Sequence, residues 1–202
     1  MYLNRRSPSN SKLKTAQRWF LPLVLAFTSL SACSGTTKNE EKEIINLTGT
    51  VVIETDAVTL TETTGTRTLR LYLPPSYQSN SSQRYPVIYM HDAQNLFDDA
   101  TSFVGEWGVD ENLDELAKET GFEVIVVGID NHPQRRLNEY SAWDNDRYGE
   151  GKAEAFVNDI VNVVKPYVDN KYRTKSDVAN TAMLGSSLGG LLTHYAVAQH
   201  SS

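Results

Sequence analysis

The residues with the clearest chemical capacity are Gly185-Ser186-Ser187-Leu188-Gly189-Gly190. They read G-x-S-x-G, with Ser187 at the centre of a tight turn. Asn180 to Leu184 ahead of the turn predicts a buried strand, and Leu188 to Gln199 behind it predicts a helix. In that setting Gly185 and Gly189 answer a steric need. They leave room for a strained backbone that lifts one serine hydroxyl out of the sheet as a nucleophile. The spacing selects Ser187 and leaves Ser186 as a neighbour without a role. The bland alternative is an ordinary strand-to-helix turn carrying a solvated serine.

A hydroxyl needs a base to become a nucleophile at neutral pH. The sequence has four histidines, His91, His132, His194 and His200. None has partners at the spacing of a metal site, so no metal is expected, and acyl transfer through a serine would need no organic cofactor. His91-Asp92 reads as a packed histidine beside an aspartate that hydrogen-bonds loop backbone. His194, about two helical turns after Ser187, should point away from the turn.

The elements that must position Ser187 follow from patterning. Val51 to Leu60 and Thr66 to Leu73 flank the turn Glu62-Thr63-Thr64-Gly65 and predict an antiparallel pair. Pro74-Pro75 stops the second strand. Tyr85 to His91 and Glu123 to Ile129 are continuous apolar runs, as central strands are. Asp110 to Glu119 predicts a short helix. Ala153 to Tyr172 predicts a long one, with Phe156, Ile160, Val164 and Tyr167 as its stripe and Pro166 as a source of bending. Buried strands alternating with amphipathic helices argue an α/β fold, a mostly parallel sheet covered on both faces. On the loop after Ile129, Arg135, Arg136, Glu139 and Tyr140 lie at the carboxyl edge of that sheet, where open α/β folds bind ligands. They could hold a polar or anionic substrate, or form local ion pairs on a solvated loop.

The N-terminus has a different character. Arg5, Arg6, Lys12, Lys14 and Arg18 precede an apolar run from Trp19 to Leu30, too short to span a bilayer as a mature helix. Leu30-Ser31-Ala32-Cys33 then resembles the lipobox of bacterial lipoproteins, in which the cysteine is acylated. Cys33 is the only cysteine of the 202 residues, so no intramolecular disulfide forms. Residues 1–32 are expected to be a lipoprotein signal, 33–45 a flexible tether, and 46–202 the folded domain. Net charge is −6 and grows more negative once the basic leader is removed. That excludes a nucleic-acid partner and leaves lipid as the membrane anchor. The expected place is the bacterial cell envelope, at the outer membrane in a Gram-negative host.

Four spaced stretches carry a wider resemblance: Tyr85 to Asp98 (YPVIYMHDAQNLFD), Gly105 to Leu116 (GEWGVDENLDEL), Val124 to Trp143 and Ala182 to Gly190. Together they resemble the putative-esterase family of α/β hydrolases, which includes siderophore esterases, carbohydrate esterases and acyltransferases. The resemblance implies the N-terminal part of an α/β-hydrolase fold, with antiparallel leading strands. It implies an ester hydrolase acting through an acyl-serine on Ser187, with a small-molecule ester as partner. By position it gives the backbone N–H groups of Gln94 and Leu188 to an oxyanion hole, where side-chain identity should matter little. Ala93 stands where many relatives have glycine, which is tolerable at negative φ. Trp107 falls where relatives place an aromatic near substrate, or else it is a core or rim residue. In this fold the acid and histidine of the triad follow the serine, and fifteen residues remain after Ser187. Both are expected beyond residue 202, leaving this chain catalytically incomplete. The rival readings are an acyltransferase, or a non-catalytic lipid-anchored binding protein on the same scaffold.

Overall fold

The computed structural model describes residues 48–200; the proposed signal, Cys33 and the whole of the proposed tether lie outside them. Five strands form one open mixed sheet in the order β1-β2-β4-β3-β5. These are β1 (Thr50–Thr59), β2 (Thr66–Leu73), β3 (Val87–His91), β4 (Ile125–Ile129) and β5 (Thr181–Leu184). β1 and β2 form the antiparallel leading pair, and β2 meets β4 antiparallel. β4, β3 and β5 run parallel to one another, as the alternation of strands and helices predicts; β5, expected to be buried, is instead half-exposed, with Leu184 at 50%. The helices are α1 (Val109–Thr120), α2 (Arg136–Glu139), α3 (Ala153–Asp159), α4 (Lys165–Lys171) and α5 (Leu188–His200).

Alternation along the central strands divides the core in two. Val87 and Tyr89 of β3, with Ile125, Val127 and Ile129 of β4, join Phe156, Val157, Ile160, Val164, Val168, Leu192 and Ala196 in the larger cluster. Met90 and Val126 point the other way. They pack with Tyr72, Ala93 and Leu96 against Trp107, Val109 and Leu113. The sheet is thus covered on both faces, by α3 to α5 on one and by α1 with the loop before it on the other. Gly128 lies on that second face because nothing larger fits. A Cβ there would stand 2.7 Å from the Ala93 Cβ and 3.1 Å from the Arg70 carbonyl oxygen.

The long helix expected over Ala153 to Tyr172 is present with one irregularity. A π turn, Ile160–Val164, joins α3 to α4 just ahead of Pro166, in the first turn of α4. Proline has no N–H to donate, and the widened turn accommodates that loss. Beside this joint, Asp159 is fully buried. Its carboxylate accepts from the backbone N–H groups of Thr61, Glu62 and Thr63 and from the Thr61 and Thr63 hydroxyls. Burial opposes that charge, but the converging donors outweigh it and hold the carboxyl below its ordinary pKa. The β1–β2 turn is thereby tied to the helix layer.

Candidate active site

Ser187 has φ +53, in the left-handed region that a non-glycine residue seldom occupies. The strain is enforced by its neighbours. A Cβ on Gly185 would stand 2.5 Å from the carbonyl carbon and oxygen of Gly189, so strand end and helix start touch backbone to backbone. A Cβ on Gly189 would stand 3.3 Å from the His91 Cβ and 3.4 Å from Asp92 Oδ2. Gly189 N donates to the Ser186 carbonyl at 2.8 Å and Leu191 N to the Ser187 carbonyl at 3.1 Å, which closes the first turn of α5. Ser186 and Ser187 are both exposed at this apex, and both line a cleft of about 610 Å³.

The opposite wall of the cleft comes from the loop after β3. Asp92 takes the left-handed conformation there, with φ +58, and Ala93–Asn95 follows as a single 3-10 turn. Ala93 therefore keeps negative φ, so the absence of glycine costs nothing at that position. The amides of Gln94 and Leu188 each lie in the first turn of a helix and donate to no group among the described residues. Gln94 lines the cleft. Leu188 does not; it lines a separate hollow of about 200 Å³ with Leu137 and Tyr148. Trp107 is half-buried and does two things, lining the cleft and packing on the smaller core cluster. Its backbone N–H donates to the Asn95 carbonyl at 2.8 Å, and Asn95 Oδ1 accepts from Phe103 N at 2.8 Å. The loop carrying Phe103, Val104 and Trp107 is thus pinned to the turn that carries Gln94.

Two sequence expectations need correction. Asp92 does not hydrogen-bond loop backbone through its carboxylate. Arg136 grips it with two bonds, Nε to Oδ1 at 2.6 Å and Nη2 to Oδ2 at 2.8 Å, and Asn131 Nδ2 adds a third at 2.6 Å. Burial would raise the Asp92 pKa, but these donors and the Arg136 charge outweigh it and hold the carboxyl below its ordinary value. Nor is the Gln94 side chain indifferent. Its Nε2 donates to the Asn131 carbonyl at 3.1 Å and its Oε1 accepts from Asn131 N at 3.2 Å, the reciprocal pattern of two paired backbones.

The loop after β4 forms ion pairs, as one reading of it expected, but it is not a solvated loop throughout. Glu139 is 1% exposed and pairs with the equally buried Arg67. Arg135 donates to the carbonyls of Thr63 and Thr64 at 3.0 Å. The Arg136 guanidinium lies 4.9 Å from the centre of the Tyr140 ring and reaches the cleft. Asn131 was not singled out in the sequence, and no local signal marks it.

His91 is fully buried, 5.4 Å from the Tyr140 ring and 6.4 Å from Phe156, and neither ring nitrogen has a partner. Burial first, offset in part by Asp92 and reinforced by Arg136, pushes its pKa down to about 4. His132 Nδ1 accepts from Gln134 N at 3.1 Å, and His194 is exposed on α5. Glu106, Asp110 and Glu111 bring carboxylate oxygens within 4.8 Å of one another at the start of α1. They are partly or fully exposed, and burial with the neighbouring charges raises Asp110 to about 6.

Comparison with known proteins agrees with this architecture. A family model described as putative esterase matches residues 61–201. An uncharacterized protein, YbbA, of Bacillus subtilis is 29% identical over 144 residues, covering 68% of this chain and 53% of the relative. An endo-1,4-beta-xylanase/feruloyl esterase of Xylanibacter ruminicola is 29% identical over 140 residues, 65% of this chain and 18% of that one. Among solved structures, an IroE-like serine hydrolase from Shewanella oneidensis superposes with TM-score 0.57 at 23% identity, over 75% of this chain and 46% of the other. A ferulic acid esterase from Anaeromyces mucronatus gives 0.55 at 23% identity, over 82% and 58%. These structural likenesses establish the fold, and the chain spans about half the length of YbbA and of the hydrolase from Shewanella.

Proposed function

This chain belongs to the putative esterase family, and from that premise we propose that it is a serine esterase working through an acyl-serine on Ser187. One observation carries the reading: a serine held at φ +53 at the apex of a strand-to-helix turn, opening onto a cleft. Ser187 Oγ attacks the ester carbonyl as a histidine takes its proton. The tetrahedral oxygen is met by the free amides of Gln94 and Leu188, a contact worth about 3 kcal/mol per donor in such sites. The alcohol leaves with the proton, and water then releases the acyl group. The base is not His91, which is fully buried against the stacked rings of Tyr140 and Phe156 and is not among the residues that line the cleft. The exposed His194 and the loop-bound His132 make no hydrogen bond to Ser187. We assign the base outside the described residues.

The cleft favours a small ester with an apolar face. Phe103 is 91% exposed beside Val104 and Trp107, and Asn131 and Arg136 supply polar groups opposite. Lipid anchoring through Cys33 at the cell envelope belongs to the same reading and rests on Leu30-Ser31-Ala32-Cys33. The test is hydrolysis of short p-nitrophenyl esters together with fluorophosphonate labelling. Ser187→Ala should abolish both and Ser186→Ala neither. Full turnover in Ser187→Ala refutes the assignment.

A further inference from the structure

Two oxyanion donors are useful only if the distance between them is held, and here they come from different elements. Gln94 sits on the turn after β3, and Leu188 begins α5. The Asp92 side chain reaches from the first toward the second, alongside His91. The Asp92 carboxylate belongs to the Gln94 turn, and its Oδ2 lies where a Cβ on Gly189 would meet it at 3.4 Å, against the residue that follows Leu188. Asp92 is 3% exposed, its backbone is left-handed, and its N–H donates to the Tyr140 hydroxyl at 3.3 Å. Its three side-chain donors all come from the loop after β4, through Asn131 and Arg136. That loop is anchored elsewhere, by Glu139 on Arg67 and by Arg135 on the β1–β2 turn. Gln94 is pinned to the same loop by its paired bonds to the Asn131 backbone.

We propose that Asp92, gripped by Arg136 and Asn131, is a positioning residue: the strut that sets the Gln94 amide against the nucleophile turn. The inference rests on the acyl-serine reading above. Asp92 lines the cleft, but its carboxylate oxygens are taken up by Arg136 and Asn131, and it acts through the geometry of the oxyanion donors. Every donor to the carboxylate comes from outside the Gln94 turn. Asp92→Asn keeps the shape, but its amide nitrogen cannot accept from Arg136. Arg136→Lys keeps the charge and loses the two-point grip.

The experiment uses the protein with its esterase activity and compares wild type, Asp92→Asn, Arg136→Lys and the double variant. A shift of the oxyanion donors should lower kcat by roughly 10- to 100-fold with little change in KM. Affinity for a trifluoromethyl ketone, which mimics the tetrahedral oxyanion, should fall by the same factor as kcat/KM. Affinity for the carboxylate product should not fall in Asp92→Asn; Arg136 itself lines the cleft, so Arg136→Lys is judged by ketone affinity falling further than product affinity. The double variant should be no worse than the poorer single one, because both break one device. Unchanged kcat in both single variants overturns the proposal. So does an equal loss of ketone and product affinity, or loss of cooperative melting in both, which would make the pair a folding element. Failure of the wild type to be labelled at Ser187 instead refutes the acyl-serine reading itself, and the strut falls with it.

Discussion

Adding one methyl group at either glycine of the turn asks how rigid the turn is, and the two positions should answer differently. In Gly185→Ala the new Cβ would stand 2.5 Å from the carbonyl carbon and oxygen of Gly189 and 3.0 Å from Gly190 N. Ordinary carbon contacts lie near 3.5–4.0 Å, so the overlap is about 1 Å. All the atoms struck are backbone, and they open α5, so the helix start must move with the Leu188 amide. A displacement of about 1 Å at a reacting centre can cost roughly 100-fold in rate, and overpacking costs about 1–3 kcal/mol of stability. In Gly189→Ala the nearest atoms are the His91 Cβ at 3.3 Å and Asp92 Oδ2 at 3.4 Å. Both are side-chain atoms and need yield only a few tenths of an ångström, so the loss should be roughly tenfold or less. The assay is kcat on a p-nitrophenyl ester with the rate of fluorophosphonate labelling, and thermal melting runs in parallel. Gly189→Ala more damaging than Gly185→Ala, or Gly185→Ala within threefold of wild type, would refute the argument that backbone contact across the turn sets the position of Ser187.

Other consequences concern stability and the envelope. His91 has its folded pKa depressed to about 4, so it stays neutral in the fold while the unfolded chain takes up a proton below about 6.5. Stability should therefore be complete above pH 6.5, fall by up to about 3 kcal/mol as pH drops toward 4, and then level off as far as this group is concerned. His91→Leu should flatten that slope in denaturant titrations across the range, and an unchanged slope counts against it. Glu139→Gln strips a buried guanidinium of its countercharge and should cost about 3 kcal/mol in urea unfolding; a loss below 1 kcal/mol would mean that water reaches Arg67. Cys33→Ser should abolish incorporation of labelled palmitate in a bacterial host, and an exported wild type that takes up no label would remove the lipid anchor.

What could be read in advance is what local pattern encodes. β2 was bounded correctly because Pro74-Pro75 follows it and its Thr, Leu and Tyr residues alternate. β3 and β4 were legible as unbroken apolar runs, and the structure trims each by two residues at its leading end. The turn at Ser187 was legible because its need is steric and short-range. Two glycines four residues apart between a strand and a helix mark a tight turn, while what the serine at its apex does is not encoded locally. The π turn was anticipated only as an irregularity near Pro166, since a proline states that an N–H is missing but not how the helix absorbs the gap.

The parts that stayed hidden share a physical cause, because they are pairings across long stretches of chain. Asp92 meets Arg136 across 44 residues and Asn131 across 39, while Arg67 meets Glu139 across 72. An arginine on a polar loop has the same local signature whether it is solvated or clamped on a buried carboxylate. The difference is set by which strands become neighbours. The order β2-β4-β3-β5 puts the ends of β3 and β4 side by side, so the loop that leaves β4 must cross the turn that leaves β3. Once it crosses, a left-handed residue there needs a side chain short enough to turn inward and charged enough to hold a partner. Aspartate meets both conditions, since it tolerates αL better than most residues and accepts two bonds from one guanidinium. Read with the strand order in hand, His91-Asp92-Ala93-Gln94 describes a turn braced from the neighbouring loop. The strained backbone falls on Asp92, which leaves Ala93 free to stand where glycine would otherwise be needed.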